Sequence, residues 1–209
     1  MNTGSNSHDA DARRRELLDA ADQVIRTQGP DATMVDIAAA AGITKPILYR
    51  HFGDKGGLYR ALAERYAAPL FQELSAALAN ETDRQARMRV TIDSYLRFIE
   101  AEPALYRFLM HRALREQPDM ATSIANLISV VASHIAANLV REIALTDEQH
   151  RSAQAWAHGI VGMVQLAGDW WLDTGLMTRP QLVDHLSALM WQGLESLTPE
   201  NAAVRDLVQ

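Results

Sequence analysis

Apolar residues recur along this chain at helical spacing, with few alternating β-branched runs, so the pattern predicts helices and no sheet. Leu17, Ala20, Ala21, Val24 and Ile25 share one face of a first helix expected over about 11–28, and Gly29 and Pro30 end it. Thr33 is placed to cap a short helix over 34–40, Gly42 to supply the positive φ of a tight turn, and Thr44 to cap a helix from Lys45 to Arg50. Pro46 fits there because the first turn does not need its missing N–H. A fourth helix is expected from near Asp54 through Leu58, Leu62, Tyr66 and Leu70, kinked by Pro69. Five more follow at about 83–101, 103–116, 119–141, 147–173 and 179–197. The pattern therefore predicts an all-α protein of about nine helices, with an N-terminal three-helix domain over 9–53 and a larger helical domain over 54–209.

Residues 33–52 have the layout of a helix-turn-helix: a short helix, a turn of a few residues, and a second helix whose first side chains can reach base edges. Ile37, Ala38, Ala41, Ile43, Leu48 and Phe52 have the spacing to pack the two helices together. Left outward are Thr33, Thr44, Lys45, Pro46, Tyr49, His51 and Lys55, a set of hydroxyls and cations suited to phosphate and of side chains able to contact bases. A helical hairpin that only completes a core, with Lys45 and Lys55 merely solvated, is the alternative.

The formal net charge of -6 argues against nucleic acid only until it is mapped. Residues 1–60 hold eight basic and eight acidic side chains, so the whole deficit lies in the remainder. Both lysines, Lys45 and Lys55, fall inside the candidate DNA-reading segment. The chain has no cysteine, which excludes disulfides, thiolate metal sites and a cysteine nucleophile. No apolar run is long enough for a membrane span and the polar start lacks a signal-peptide core, so a cytoplasmic protein is expected.

The segment TMVDIAAAAGITKPILYRHFGDKGGLY closely resembles the DNA-binding signature of the TetR family of bacterial regulators. The resemblance covers about residues 13–60; the rest agrees in length and helix number. It implies that Thr44, Lys45, Pro46 and Tyr49 lie in or against the major groove, with Thr33, His51 and Lys55 on phosphates. Pro46 departs from the glycine or alanine of many members, and Gly56 with Gly57 replaces the usual helix formers, which should loosen the start of the fourth helix. The resemblance also implies a homodimer through the last two helices, a roughly palindromic double-stranded DNA operator, and a repressor released by a small ligand in the C-terminal domain.

For that ligand, Phe98, Tyr106, Leu109, Met110, Ile128, Trp156, Met163 and Trp170 form a candidate lining of adaptable methionines and broad aromatics, suited to an elongated apolar effector. The same residues also read as ordinary core. FIEAEPALYRFLM and HGIVGMVQLAGDWWLDTG are similar to segments of fatty-acyl-responsive members, which implies a long-chain fatty acid or acyl-CoA. Arg107, His111 and Arg115 fall on one helix face as an anion-binding strip or a solvated one.

No catalytic constellation emerges. Asp147 and His150 have the spacing of half a bundle metal site without its second pair, and no phosphate loop, nucleophile elbow or zinc-protease motif occurs. We expect no enzyme activity, metal or cofactor. A ligand-independent DNA-binding protein whose C-terminal bundle only dimerises, and a regulator that activates, both stay open.

Overall fold

The computed structural model describes residues 3–113, 118–142 and 147–195 and is all-helical, with nine α-helices and no strand among the described residues. They are α1 (Thr3–Gln28), α2 (Met34–Ala40), α3 (Lys45–Phe52), α4 (Lys55–Asn80), α5 (Arg84–Ala101), α6 (Pro103–Arg107), α7 (Pro118–Glu142), α8 (Asp147–Thr174) and α9 (Arg179–Glu195). The chain packs as two compact units, one formed by Met1–Phe71 and Ala101–Thr122, the other by Gln72–Glu100 and Ser123–Gln209. The course of α4 carries the chain out of the first unit, and α6 returns it there. No described helix is long and apolar enough to cross a membrane.

In the first unit, α1 buries Leu17, Leu18, Ala21, Val24 and Ile25 along one stripe. It starts at Thr3, well before Asp11, and the pattern did not show this because residues 8–11 are exposed and carry no apolar stripe. Gly29, at φ 69°, ends it, and a single 3-10 turn leads to Thr33. Thr33 and Asp36 form a reciprocal capping box: the Thr33 hydroxyl accepts from the Asp36 amide at 3.2 Å and the Asp36 carboxylate accepts from the Thr33 amide at 3.1 Å. The Thr33 hydroxyl, donating to the same carboxylate at 2.5 Å, and then the Thr33 amide hold the Asp36 carboxyl below its usual range.

After α2, Gly42 at φ 66° makes the turn, and the Ile43 amide donates back to the Ala38 carbonyl at 2.9 Å. The core of the unit joins Leu17, Ile25, Ile37, Leu48, Leu58, Leu62 and the Tyr59 ring, which meets Phe108 edge-on at 5.1 Å. Beyond Arg107 the α6 ladder widens into a π-turn over Phe108–Ala113, where the periodicity predicted plain helix to residue 116. A π-turn differs from an α-turn in its hydrogen-bond ladder, i→i+5 in place of i→i+4, and a segment of six residues is too short for apolar spacing to separate the two.

α1, α4 and α6 also meet through charge. The Arg26 guanidinium grips Glu102, at the N-cap of α6, at 3.0 and 2.6 Å, and reaches the Tyr66 hydroxyl at 3.4 Å. Arg65 pairs with Asp19 at 2.5 Å and approaches Asp22 at 3.5 Å. Asp22 itself is buried, and its Oδ1 has no hydrogen-bond partner. Burial pushes its carboxyl above the ordinary 3.8, against the Tyr66 hydrogen bond and the charges of Arg65 and Arg26.

A folded-state value above the unfolded one means that ionisation weakens the fold. The contribution of Asp22 is therefore full below 3.8 and is lost as pH rises through the raised folded value. Asp22→Asn is neutral throughout, while Arg65 keeps Asp19 and Arg26 keeps Glu102. It should melt above the wild type at neutral pH, with the gap closing as pH falls and the wild-type carboxyl takes up its proton. A variant that melts below the wild type at neutral pH would show that the ionised carboxylate stabilises the junction.

The second unit packs α5, α7, α8 and α9. Gly168 of α8 lies so close to α5 that a Cβ there would stand 2.8 Å from Ile99 Cδ1. Ala132 and Ala136 of α7 meet Ala153 and Ala157 of α8 in a small-residue seam. Arg179 at the start of α9 ties to Asp93 and, at 2.8 Å, to Glu100 of α5, and Arg89 pairs with Asp184. The α8–α9 turn is closed by Gly175 at φ 59° and by the Trp171 indole N–H donating to the Met177 carbonyl at 2.7 Å. Thr178 and Gln181 then cap α9 reciprocally, at 2.9 and 3.5 Å.

Candidate nucleic-acid interface

α3 has eight residues, too few to hold a helix alone in water, so its neighbours must fix it. Leu48 and Phe52 are buried and form its inward face. Thr44, Lys45, Pro46 and Arg50 are exposed, while Ile47, Tyr49 and His51 are half-buried. Thr44 occupies the N-cap position in extended geometry, yet its side chain makes no capping bond. Its hydroxyl is therefore not committed to the helix start, unlike that of Thr33, which the capping box engages.

Lys45 and Tyr49, one turn apart, stack with the ammonium 5.5 Å from the ring centroid. A cation and a planar ring with a hydroxyl are thus presented together at the first turns of α3. Lys55 begins α4, half-buried, with its ammonium 5.6 Å from the centre of the Tyr59 ring. The expected DNA-facing residues therefore divide by position: Thr44, Lys45, Pro46 and Tyr49 on α3 and its cap, His51 near its end, Lys55 on α4 and Thr33 at the α2 cap.

Beyond Phe52, Gly53 at φ 81° ends α3, and its amide donates to the Tyr49 carbonyl at 2.6 Å. The Asp54 carboxylate accepts from the Gly57 amide at 2.6 Å, capping α4. Gly57 does not leave the start of α4 open: a Cβ there would fall 1.8 Å from the Phe52 carbonyl oxygen, so the missing side chain lets the end of α3 press onto α4. Arg14 of α1 closes the other side. It donates to the His51 carbonyl at 2.9 Å and stacks 4.6 Å from the centre of the Phe52 ring. Sequence spacing had not singled out Arg14; its partner lies 37 positions away and no local motif marks the pair.

The expected ligand-lining residues are distributed over both units. Tyr106 and Leu109 are buried in the first, with Met110 half-buried beside them in sequence. Phe98, Ile128 and Trp156 are half-buried in the second. Met163 and Trp170 are exposed on α8, on the face that also carries Leu166 at 70% exposure. Gly159 and Gly162 accompany them, with nothing within 4 Å of a Cβ built on either. Leu189 and Gly193 on α9 are likewise exposed. Of the possible anion strip, Arg107 is half-buried; the His111 side chain and Arg115 lie outside the described residues, as do the side chains of Asp147 and His150. Among the described residues no cluster of three metal-ligating side chains occurs.

Comparison with known proteins matches both parts of the chain. The family model described as bacterial regulatory proteins, tetR family, covers residues 17–62, and that described as tetracyclin repressor-like, C-terminal domain, covers 73–205. The HTH-type transcriptional regulator Rv0472c of Mycobacterium tuberculosis is 33% identical over 87% of this chain and 77% of its own length. The HTH-type transcriptional activator FasR of Mycolicibacterium smegmatis is 30% identical over 88% and 84%. Among solved structures, the fatty acid degradation regulator FadR of Bacillus halodurans superposes with a TM-score of 0.66 at 16% identity, over 85% of this chain and 93% of that one.

Proposed function

The chain belongs to the TetR family of DNA-binding transcriptional regulators, which are not enzymes, and from that premise we propose a homodimeric repressor released from a palindromic operator by a long-chain fatty acid or acyl-CoA. The observation that carries the dimer is the exposed apolar face of α8 and α9: Met163, Leu166, Trp170 and Leu189 with Gly159, Gly162 and Gly193 between them. Mid-helix glycine weakens a helix by about 1 kcal/mol relative to alanine. Glycines with open space above them beside exposed large apolar side chains suit a second helix approaching closely. Met163 and Trp170 then belong to this face. The effector contacts we retain in the second unit are Phe98, Ile128 and Trp156.

Two heads on a two-fold axis place their α3 helices in successive major grooves, about 34 Å apart. Thr44, Pro46 and Tyr49 meet the groove, Lys45 lies against its wall with its ammonium on a phosphate, and His51, Lys55 and the α2 cap at Thr33 meet further phosphates. The acyl effector is supported by the likeness to the B. halodurans FadR, a fatty acid degradation regulator, and by the two segments that resemble fatty-acyl-responsive members. The protein acts in the cytoplasm, with the DNA it reads.

The test is anisotropy of a duplex selected by the wild-type protein from a randomised pool, titrated with and without palmitoyl-CoA at fixed salt. Palmitoyl-CoA should weaken binding at least about tenfold. Trp156→Ala should shift the palmitoyl-CoA concentration needed for release more than it changes affinity for the free duplex. Specific binding that ignores palmitoyl-CoA would discard the acyl effector and keep the regulator. One observation favours a second reading, activation: the relative at 30% identity is named a transcriptional activator. Transcription in vitro from a promoter carrying the selected site separates the two by its sign.

A further inference from the structure

We propose that Arg14 is a positioning residue for DNA binding: it holds α3 at its C-terminal end and sets the angle at which Lys45 and Tyr49 meet DNA, without touching DNA itself. The inference rests on the reading that α3 carries the base and phosphate contacts.

An α-helix leaves its last carbonyls without intrahelical partners, and its C-terminus carries partial negative charge. In α3 the Tyr49 carbonyl is taken by the Gly53 amide and the His51 carbonyl by the Arg14 guanidinium. A cation at that end meets both needs of the helix, the unpaired carbonyl and the dipole. The same guanidinium lies over the Phe52 ring, whose side chain anchors α3 in the core. One planar group thus fixes backbone and side chain of adjacent residues, which an ammonium on a flexible stem does not reproduce.

Geometry makes that end decisive. Eight residues span about 12 Å, so α3 is short and its two ends are set separately. At the N-terminal end, Thr44 makes no side-chain cap and Pro46 has no amide to donate. At the C-terminal end, the Phe52 carbonyl seats against Gly57 of α4 and the His51 carbonyl against Arg14 of α1. Releasing Arg14 leaves α3 held by the packing of Leu48 and Phe52 and by the Gly57 contact, but removes the polar tie to α1 that fixes the tilt of its C-terminal end. The contacting side chains near its start then lose their alignment.

Positioning and phosphate contact predict different salt behaviour. Each phosphate neutralised contributes about 0.9 to the slope of log affinity against log salt, so a contact repeated in both heads contributes about two. Operator affinity is measured by anisotropy across a salt series for full-length wild type, Arg14→Met, Arg14→Lys, Lys45→Ala and Tyr49→Ala, on a selected duplex of about 30 base pairs. Arg14→Met should bind at least about tenfold more weakly with its slope unchanged, and Arg14→Lys should recover part of the loss. Lys45→Ala should lower the slope by about two.

Wild-type affinity in Arg14→Met overturns the proposal. A slope reduced by about two in Arg14→Met and retained in Arg14→Lys also overturns it, making Arg14 a phosphate ligand. If Arg14→Met loses its helical circular dichroism, Arg14→Lys decides: weakened binding at the wild-type slope supports positioning, and wild-type affinity ends it. Tyr49→Ala separates the two levels. If it binds normally, the reading of α3 fails; if it binds weakly while both Arg14 variants bind normally, only the present inference fails.

Discussion

Leu166→Arg should leave a folded chain that sediments as a monomer and binds a two-site operator at least about a hundredfold more weakly than wild type. Leu166 is 70% exposed, so within its own chain the substitution removes little packing, and surface changes of that kind shift stability by about 0.5 kcal/mol or less. On a two-fold interface the same patch meets itself, so one substitution introduces two like charges into an apolar surface. An ion buried there without a partner costs several kcal/mol. Loss of the dimer removes the effective concentration that links the second head to the first, a factor of roughly a hundred to ten thousand. Affinity for a duplex with a single half-site should stay near the wild-type single-head value. Sedimentation velocity and anisotropy on the two duplexes together decide the matter, and a variant that sediments as a wild-type dimer would move the interface away from this face of α8.

How much of this was legible in the chain depends on the range of the contacts involved. α2 begins and ends where its pattern placed it, because Thr33, Asp36 and Gly42 act within a few positions of each other. The starts of α3, α8 and α9 were equally local, the all-α fold followed from helical periodicity, and the family from the resemblance of the signature over 33–59. α4 runs on to Asn80 with Pro69 inside it, well past the last residue assigned to it. Proline removes one ladder bond, and a helix of that length keeps its neighbouring turns. At Gly57 the residue type was read as a weakness, and only the approach of the Phe52 carbonyl explains it.

Long-range chemistry stayed hidden for the same reason. Arg14 meets His51 across 37 positions and Arg26 meets Glu102 across 76, and no spacing rule reaches that far. The apolar residues of α8 were legible as a stripe, but a stripe does not say whether it faces the core or a second chain. Trp171 is buried while Trp170, its neighbour, is exposed at 44%. A single helical position therefore decides between an intramolecular contact and a proposed intermolecular one.

Tyr49→Ala should reduce operator affinity by about thirtyfold or more while leaving the dimer and its melting temperature nearly unchanged. Tyr49 is half-buried on α3, and its fellow residues Leu48 and Phe52 supply the inward packing, so the fold does not depend on its ring. What the ring does provide is a surface for Lys45, whose ammonium stacks 5.5 Å from its centre. Removing it takes away a groove contact and frees the lysine to sample conformations that miss its phosphate. Two contacts are lost from each head, and each head is used once per operator. At about 1 kcal/mol or more per head, the dimer loses at least some 2 kcal/mol, the free-energy equivalent of a thirtyfold change. Double-mutant analysis with Lys45→Ala then isolates the coupling: if the ring positions the lysine, the double variant loses less than the two single losses added together. Additive losses would show that Tyr49 and Lys45 contact DNA independently, and an unweakened Tyr49→Ala would remove α3 as the reading element.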